Sequence, residues 1–185
     1  VISQLSSSLK KLQIDYVNTL YLHAPDHDTP ILETLKICHK LYSLKYFNKL
    51  GLSNYSLEQV KEIIDLCNKH NLIKPSVYQG LYNPLCRKIE ELFPLLEQEN
   101  IQFYAYNPLA GGLLTGKYLP CNHTNTYSRF FNNTIYQNLF WKTDYINATQ
   151  LLYNHFGNDI IHKVYSWFKT KGVDIIMGVS SKQQY

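Results

Sequence analysis

The segment Val17-Asn18-Thr19-Leu20-Tyr21-Leu22-His23 is an apolar, strand-like run that ends in a histidine. The same arrangement recurs three times, with polar side chains where the run ends: Ser53-Asn54 after Leu50-Gly51-Leu52, Gln79 after Pro75–Tyr78, and Asn107 after Ile101–Tyr106. From His23 the polar positions advance by 30, 26 and 28 residues. Each step has the length of one strand–helix–strand unit. The pattern therefore predicts parallel strands joined by helices.

Polar groups at successive strand ends are typical of a (β/α)8 barrel, in which catalytic and ligand groups lie at the carboxyl ends of the strands. We count five strands, from Tyr16–Leu22 to Val173–Met177, each separated from the next by a helical pattern. Five strands do not close a barrel of eight, so unpaired backbone groups would remain at the sheet edges. The sequence thus predicts an α/β fold, a (β/α)8 TIM barrel that is incomplete, with about five of eight strands present.

Helical periodicity fills the intervals between the strands. The patterns cover Leu5–Leu12, Ile31–Leu44 with an expected end near Lys49, Ile89–Leu96, Trp141–Phe156 and Asp159–Thr170. Ser56 and Gln59 form a capping box at the start of a further helix. Residues 107–140 are instead rich in Gly, Asn, Thr and aromatic residues, and we expect one long loop with little regular structure. So long a loop usually carries function.

Composition sets the broad class of protein. The 185 residues are 45% hydrophobic and 17% charged, which favours one globular domain spanning residues 1–185. No apolar run reaches about 18 residues, so no membrane span is predicted. The net charge is +4, but the lysines are scattered over helix faces and do not indicate nucleic-acid binding. Because the chain begins at Val1 inside an amphipathic helical pattern, we expect a fragment of a longer protein.

The potential metal ligands do not form a recognisable site. Cys38, Cys67, Cys86 and Cys121 show neither metal-ligand spacing nor a disulfide framework, so a reducing compartment, the cytoplasm, is the simplest expectation. The sequence His23-Ala24-Pro25-Asp26-His27 offers a metal pair as an alternative reading. A proline-containing turn separates the two histidines, however, and they lack the common helical face of a zinc-protease motif. We therefore predict no metal.

The strand-end residues have the chemistry of a small-molecule site. His23 can donate a hydrogen bond to a substrate carbonyl and polarise it; a half-buried structural histidine is the alternative. Ser53, Asn54 and Gln79 offer hydroxyl and amide groups that can hold a flat carboxamide through paired donor and acceptor contacts. The alternative is that Ser53 and Asn54 only cap a turn. Two amide side chains at one strand edge favour binding.

A glycine-rich segment follows Asn107. Glycines let backbone amides approach a phosphate closely, and Lys117 adds a positive charge. Gly111 to Lys117 matches the start of a P-loop, but Tyr118 occupies the position where that motif needs Ser or Thr, so a nucleoside-triphosphate hydrolase is disfavoured. Arg129, one of two arginines, can clamp a phosphate or form a surface salt bridge. Gly178-Val179-Ser180-Ser181 is a second loop of small residues, of the type that binds phosphate.

These residues resemble the aldo-keto reductases, most closely the branch of the aflatoxin aldehyde and succinic semialdehyde reductases. The likeness covers nearly the whole chain and rests on Tyr21–His27, Gly51–Tyr55, Val77–Gly80 and Tyr104–Tyr118. It implies a (β/α)8 barrel that binds NADPH or NADP+ without a Rossmann fold and reduces aldehydes and ketones to alcohols. A small-molecule aldehyde or ketone is the implied partner, with neither nucleic acid nor membrane, and a homodimer of the intact enzyme stays open.

The resemblance assigns roles by residue. His23 would orient the substrate carbonyl, and Tyr136 would contact the substrate. The nicotinamide carboxamide would be held by Ser53, Asn54 and Gln79, and the 2′-phosphate of the adenosine by the last loop. The implied cofactor contacts elsewhere are Asn107, Pro108, Leu109, Ala110, Gly111, Gly112, Leu113, Leu114, Thr115, Gly116 and Lys117 along the pyrophosphate, Arg129, and in the last loop Gly178, Val179, Ser180, Ser181 and Gln184.

The chain also departs from the family pattern. Family catalysis uses a tyrosine as general acid with a lysine and an aspartate that tune its pKa, and these come from strands that would precede Val1. We therefore predict that the 185-residue chain alone reduces carbonyls poorly or not at all. Three alternatives stay open: a non-catalytic NADPH-binding module, an inactive truncated product without a stable fold, and a phosphate-binding enzyme of another barrel family.

Overall fold

The computed structural model describes residues 1–119, 128–179 and 181–182, and over these residues strands alternate with helices. The strands are β1 (Val17–Leu22), β2 (Phe47–Ser53), β3 (Pro75–Leu81), β4 (Gln102–Tyr106) and β5 (Asp174–Ile175). The helices are α1 (Ile2–Leu12), α2 (Ile31–Ser43), α3 (Leu57–His70), α4 (Phe93–Gln98), α5 (Thr134–Phe140), α6 (Thr143–Phe156) and α7 (Ile160–Thr170). Short 3-10 helices span Lys88–Leu92, Ala110–Thr115 and Gly157–Asp159.

The sheet follows the order of the chain, β1-β2-β3-β4-β5. β1 pairs with β2, β2 with β3, and β4 with β5, each time in parallel. Parallel neighbours require a crossover connection, and the helices between the strands provide it. The predicted alternation of five strands with helices is therefore confirmed.

The chain forms two compact units. The first comprises Val1–Gly80 and Glu90–Phe103, and the second comprises Leu81–Ile89 and Tyr104–Tyr185. The expectation of a single domain over residues 1–185 stays a prediction.

The first unit buries the apolar faces of α2 and α3 together with the first strands. Its fully buried side chains include Leu35, Cys38, Phe47, Leu50, Leu52 and Val60. The predicted capping box is present: the Ser56 Oγ accepts from the Gln59 backbone N–H at 3.3 Å, and the Gln59 Oε1 accepts from the Ser56 N–H at 2.8 Å. Both bonds satisfy donors that a helix start otherwise leaves unpaired.

The second unit is built on aromatic packing. Tyr82 is fully buried, and its ring lies 5.1 Å from Trp167 and 5.9 Å from Phe168. A further buried set surrounds the segment after β4: Ala110, Leu113, Leu114, Tyr118, Phe130 and Phe140. This unit therefore has a core of its own.

Several predicted boundaries were wrong. The helix expected to end near Lys49 ends at Ser43, because Lys45 takes a left-handed φ of 64° and the chain turns into β2. Residues 107–140 are not one irregular loop: they contain the 3-10 helix Ala110–Thr115 and α5. The 3-10 helix has no clear periodicity because it is short and interrupted by the non-helical Gly111 and Gly112, and α5 is only 7 residues long.

Two strand ends also differ from expectation. Gln79 does not end its strand, since β3 continues to Leu81. The last strand is shorter than Val173–Met177 and covers Asp174–Ile175. In the residues that the structure describes, no helix combines the length and the apolar character needed to cross a membrane.

Candidate functional site

The first unit brings four of the predicted residues together at the carboxyl ends of its strands. Ser53 of β2 and Gln79 of β3 are direct partners in the sheet register. Leu22 pairs with Leu52, so His23 follows β1 at the level of Ser53. We call His23, Ser53, Asn54 and Gln79 the strand-end cluster. Its members come together because parallel strands in register end on one edge.

Asn54 links the His23 backbone to Ser53 within this cluster. Its backbone φ of 65° is left-handed, a conformation that asparagine tolerates better than most residues. The Asn54 side-chain Nδ2 donates to the His23 carbonyl at 2.8 Å and to the Ser53 Oγ at 3.2 Å. Ser53 is buried at 2% exposure, Gln79 is half-buried, and His23 is exposed. The cluster is thus fixed at its base and open at the histidine.

Tyr55 makes two hydrogen bonds next to the cluster. Its hydroxyl donates to the Ala24 carbonyl at 3.2 Å, and its carbonyl accepts from the Tyr78 hydroxyl at 2.7 Å. Burial raises the pKa of the Tyr55 phenol, with smaller contributions from Cys38 and Asp26. A phenol kept neutral in this way remains a hydrogen-bond donor. Tyr55 therefore ties the chain after β2 to the chain after β1.

The second unit contains the glycine segment, which we define as Ala110–Lys117. Gly111, Gly112 and Gly116 take positive φ values of 68°, 100° and 75°, a region that glycine enters without steric cost. Asn107 precedes the segment, and its carbonyl accepts from the Ala110 N–H at 3.0 Å. Leu113 and Leu114 are fully buried, whereas Lys117 is exposed. The leucines anchor the segment and leave the lysine at the surface.

An aromatic cluster packs against the glycine segment. It consists of Tyr118, Phe130, Tyr136, Phe140 and Trp141. Phe130 is central, with ring centroids 5.2 Å from Tyr118, 4.8 Å from Trp141 and 6.4 Å from Tyr136. A Cβ atom added at Gly111 would lie 2.8 Å from the Tyr136 ring. Glycine at this position therefore lets the predicted substrate-side tyrosine approach the segment.

Tyr136, Asn107 and Arg129 lie next to one another. The Tyr136 hydroxyl donates to the Asn107 Oδ1 at 3.2 Å and accepts from an Arg129 guanidinium nitrogen at 3.5 Å. The guanidinium carbon also lies 5.4 Å from the centre of the Tyr136 ring, within the range of a cation–π contact. The contacts of Arg129 in the structure are therefore with the ring and the hydroxyl of Tyr136, which a simple surface salt bridge does not describe.

The remaining predicted residues lie near the glycine segment or after β5, and two of them are not among the described residues. Pro108 is buried and Leu109 is half-buried just before the glycine segment, and Thr115 is half-buried within it. Gly178, Val179 and Ser181 are exposed after β5, and space is open around Gly178. Ser180 and Gln184 lie outside the described residues. The role proposed for this last loop thus stays a prediction.

Sequence reasoning missed Asn83. This residue is fully buried, and its Nδ2 donates to the Asn107 carbonyl at 3.0 Å. Its Oδ1 accepts from the backbone N–H groups of Leu85 and Cys86, both at 3.0 Å. Asn83 stands two residues after Leu81, but the end of β3 at Leu81 had to be known before it could be recognised as a polar side chain that follows the strand.

Tyr106 was also missed. It is the last residue of β4, next to Asn107. Burial raises the pKa of its phenol, and the neighbouring Tyr136 and Cys86 raise it further. The sulfur of Cys86 in turn donates to the Tyr145 hydroxyl at 3.7 Å. The carboxyl end of β4 therefore lies near the Tyr136 phenol and the Cys86 thiol.

The structure argues against a P-loop. The glycine segment is itself a 3-10 turn and does not lead from a strand into a helix as a P-loop does. Tyr118 is 5% exposed and packs against Phe130 and Trp141, so it serves the core. Among the described residues, no group of three or more His, Cys, Asp or Glu side chains is arranged to hold a metal ion.

Comparison with known proteins agrees with this geometry. The sequence profile of the Aldo/keto reductase family matches residues 1–185. The chain belongs to this family. Its likeness to the aflatoxin aldehyde reductases confirms the predicted branch: it is 43% identical to mouse (Mus musculus) aflatoxin B1 aldehyde reductase member 2, over 98% of this chain and 55% of that protein.

A human (Homo sapiens) relative, aldo-keto reductase family 7 member A3, is 48% identical over 80% of this chain and 47% of its own length. This aldo-keto reductase chain therefore spans about half the length of the curated relatives it matches.

A solved structure supports the fold. The glycerol dehydrogenase AKR11B4 of Gluconobacter oxydans matches 98% of this chain and 55% of its own chain with a TM-score of 0.76 and 24% identity. The α/β fold with five strands of an incomplete (β/α)8 barrel is thereby confirmed.

Proposed function

We propose that this chain provides most of the cofactor site of an NADPH-dependent aldo-keto reductase that reduces aldehydes and ketones to alcohols. The observation that carries the proposal is the strand-end cluster: hydroxyl, amide and imidazole groups share one edge of three parallel strands, and the Asn54 side chain joins the His23 carbonyl to the Ser53 hydroxyl. That edge is where barrel enzymes hold their ligands. Membership of the family supplies the reaction class.

The residues present fit a nicotinamide nucleotide. Ser53 and Gln79, paired in register, offer hydroxyl and amide groups for the carboxamide. Gly111 and Gly112 have positive φ values and carry no Cβ, so a pyrophosphate would be able to lie directly against their backbone. Lys117 and Arg129 are exposed cations suited to phosphate. Bound NADPH would supply a hydride to the carbonyl carbon.

The protein side chains would then orient and protonate the carbonyl. His23 is exposed at the end of β1 and would donate a hydrogen bond to the carbonyl oxygen. Tyr136 would contact the substrate from α5. Gly178, Val179, Ser180, Ser181 and Gln184 would hold the adenosine 2′-phosphate. A tyrosine from the family's earlier strands, tuned by a lysine and an aspartate, would provide the proton.

We further propose that the chain works in a reducing compartment, the cytoplasm. Cys38, Cys67 and Cys86 are free thiols, as expected where glutathione keeps cysteines reduced. A homodimer of the intact enzyme stays part of the proposal.

The test uses the protein expressed from its complete coding sequence. NADPH binding is measured by quenching of tryptophan fluorescence, and turnover of benzaldehyde is followed at the nicotinamide absorbance. We expect tighter binding of NADPH than of NADH and NADPH-dependent reduction. Failure to bind NADPH contradicts the proposal, whereas binding without turnover of any aldehyde favours the non-catalytic module.

A matched pair of variants tests the strand-end cluster. Gln79→Leu removes the amide and retains the bulk, and should raise the NADPH dissociation constant about fivefold, the effect of one hydrogen bond. Gln98→Leu makes the same change at an exposed position of α4 and should leave binding unchanged. Equal effects of the two variants would contradict the assignment of Gln79.

The 185-residue chain by itself is expected to reduce carbonyls poorly or not at all, because no tyrosine in it matches the family's general acid. Purified chain is assayed under the same conditions. Robust NADPH-dependent turnover by the purified chain would contradict this expectation.

A further inference from the structure

We propose that Asn83 is a positioning residue for the candidate site: by holding Asn107, it sets both the start of the glycine segment and the hydroxyl of Tyr136. The inference rests on the proposed function for the identity of the ligand. Its physical basis is a series of hydrogen bonds, all within the second compact unit.

The series starts in the core. Asn83 is 0% exposed, and a fully buried amide is costly unless its donors and acceptors are paired. The Oδ1 accepts from Leu85 and Cys86, so the turn after β3 closes around the side chain. The Nδ2 donates to the Asn107 carbonyl. The amide therefore joins the chain after β3 to the chain after β4.

Asn107 in turn makes hydrogen bonds with both the glycine segment and Tyr136. Its carbonyl also accepts from Ala110 at 3.0 Å, which fixes how the glycine segment leaves the strand. Its side-chain Oδ1 accepts from the Tyr136 hydroxyl at 3.2 Å. With a left-handed φ of 54° at Asn107, small changes in this backbone would redirect both partners. Asn83 is the buried group that holds the Asn107 carbonyl in place.

Tyr136 connects Asn107 to the exposed Arg129. Its hydroxyl donates a hydrogen bond to the Asn107 Oδ1 and accepts one from Arg129 at 3.5 Å. The phenol thus presents its remaining lone pair in a direction that Asn107 determines. Loss of the Asn83 bond would loosen Tyr136 and Arg129 without removing either side chain. Because Asn83 is fully buried, it would act on a ligand through Asn107.

Two substitutions separate positioning from a simple folding role. Asn83→Ala removes every side-chain bond. Asn83→Asp retains the oxygen that accepts from Leu85 and Cys86, but its ionised form cannot donate to the Asn107 carbonyl. Its neutral form can, because a protonated carboxyl has an O–H donor. Burial and the bond that the neutral form donates to the Asn107 carbonyl raise the pKa of this carboxyl, and the Leu85 and Cys86 N–H donors lower it; the neutral form becomes populated as the pH falls.

The experiment measures the NADPH dissociation constant and the benzaldehyde KM from pH 5.5 to 8.5, with the protein expressed from its complete coding sequence. At pH 8.5 we expect both constants to rise about five- to tenfold in Asn83→Asp, the range of one or two hydrogen bonds. At pH 5.5 they should return towards wild type in Asn83→Asp and stay raised in Asn83→Ala. Asn68→Asp, on the exposed face of α3, is the charge control and should match wild type throughout.

Other outcomes would overturn the inference. If wild type binds NADPH and both Asn83 variants bind equally well, Asn83 does not position the site. If Asn83→Asp shows the same deficit at every pH, the loss reflects general destabilisation. Failure of wild type to bind NADPH would instead refute the proposed function.

A measurement on the wild-type protein covers the case in which neither variant folds. The side-chain NH2 protons of Asn83 should be protected from exchange with solvent in nuclear magnetic resonance spectra, and Tyr136→Phe should leave this protection intact. Exchange of these protons at the rate of an exposed asparagine would overturn the inference.

Discussion

The strand-end cluster and the glycine segment are held in place by different forces. In the cluster, backbone register brings Ser53 next to Gln79 and His23 next to Ser53, and the Asn54 amide completes the link. In the glycine segment, three positive-φ glycines would leave the backbone free to move, but buried leucines and an aromatic cluster around Phe130 hold it.

This difference has consequences for mutation. A site built on register tolerates changes of side chain around it, as long as the strands pair. A site built on side-chain packing depends on individual contacts, because protein interiors are close-packed and a lost or added methyl group is felt. We therefore expect the glycine segment to be the more sensitive of the two.

The largest effect is expected from Phe130→Ala. Phe130 is 4% exposed and contacts Tyr118, Tyr136 and Trp141, so truncation leaves a cavity at the centre of the aromatic cluster. The free energy of unfolding, measured in urea, should fall by about 3–5 kcal/mol. Phe131→Ala is the control: Phe131 is 41% exposed and should cost about 0.5 kcal/mol. Similar losses for the two variants would contradict the packing role.

Gly116→Ala should rank second. The φ of Gly116 is 75°, and a new Cβ would lie 2.3 Å from the Tyr153 ring. The left-handed backbone costs about 1–2 kcal/mol for alanine, and overpacking adds about 1–3 kcal/mol. Gly172→Ala shares the positive φ, 63°, but meets no atom within 4 Å. If the two variants lose the same stability, the Tyr153 contact contributes nothing.

Gly51→Ala tests the first unit in the same way. Gly51 has no strained φ, but a Cβ would lie 2.5 Å from the Tyr21 ring, so we expect a loss of about 1–3 kcal/mol. In a Tyr21→Ala background the same substitution should cost almost nothing, because the clashing ring is gone. An undiminished loss in that background would show that Tyr21 is not the cause.

The last effect is a pH dependence that appears only under alkaline conditions. Burial raises the pKa of the Cys38 and Cys67 thiols from 9.0 to about 11. Unfolded thiols ionise first as the pH rises, so the unfolded state binds fewer protons and stability falls between about pH 9 and 11. Cys67→Ala should make this slope shallower by about 1.4 kcal/mol per pH unit, with no change of slope between pH 6 and 8. An unchanged alkaline slope would contradict the raised pKa of Cys67.

Some of the fold was predictable because local chemistry is enough to specify it. The Ser56–Gln59 capping box and the alternation of strands and helices needed only residue type and spacing. The strand-end positions of His23, Ser53 and Asn107 followed for the same reason. Gln79 and the end of α2 were misplaced, since propensity near a boundary is weak compared with the pairing that decides it.

The sequence by itself determined the parallel strands, the family and the polar residues at their ends, because those depend on periodicity and on a specific order of residue types. Only the tertiary structure revealed that Asn83 supports Asn107, that α5 lies within the predicted loop, and that Phe130 and Tyr136 pack on the glycine segment. These contacts join residues far apart in the chain. Their energy comes from packing and from buried hydrogen bonds, and no local pattern encodes which partner each side chain meets.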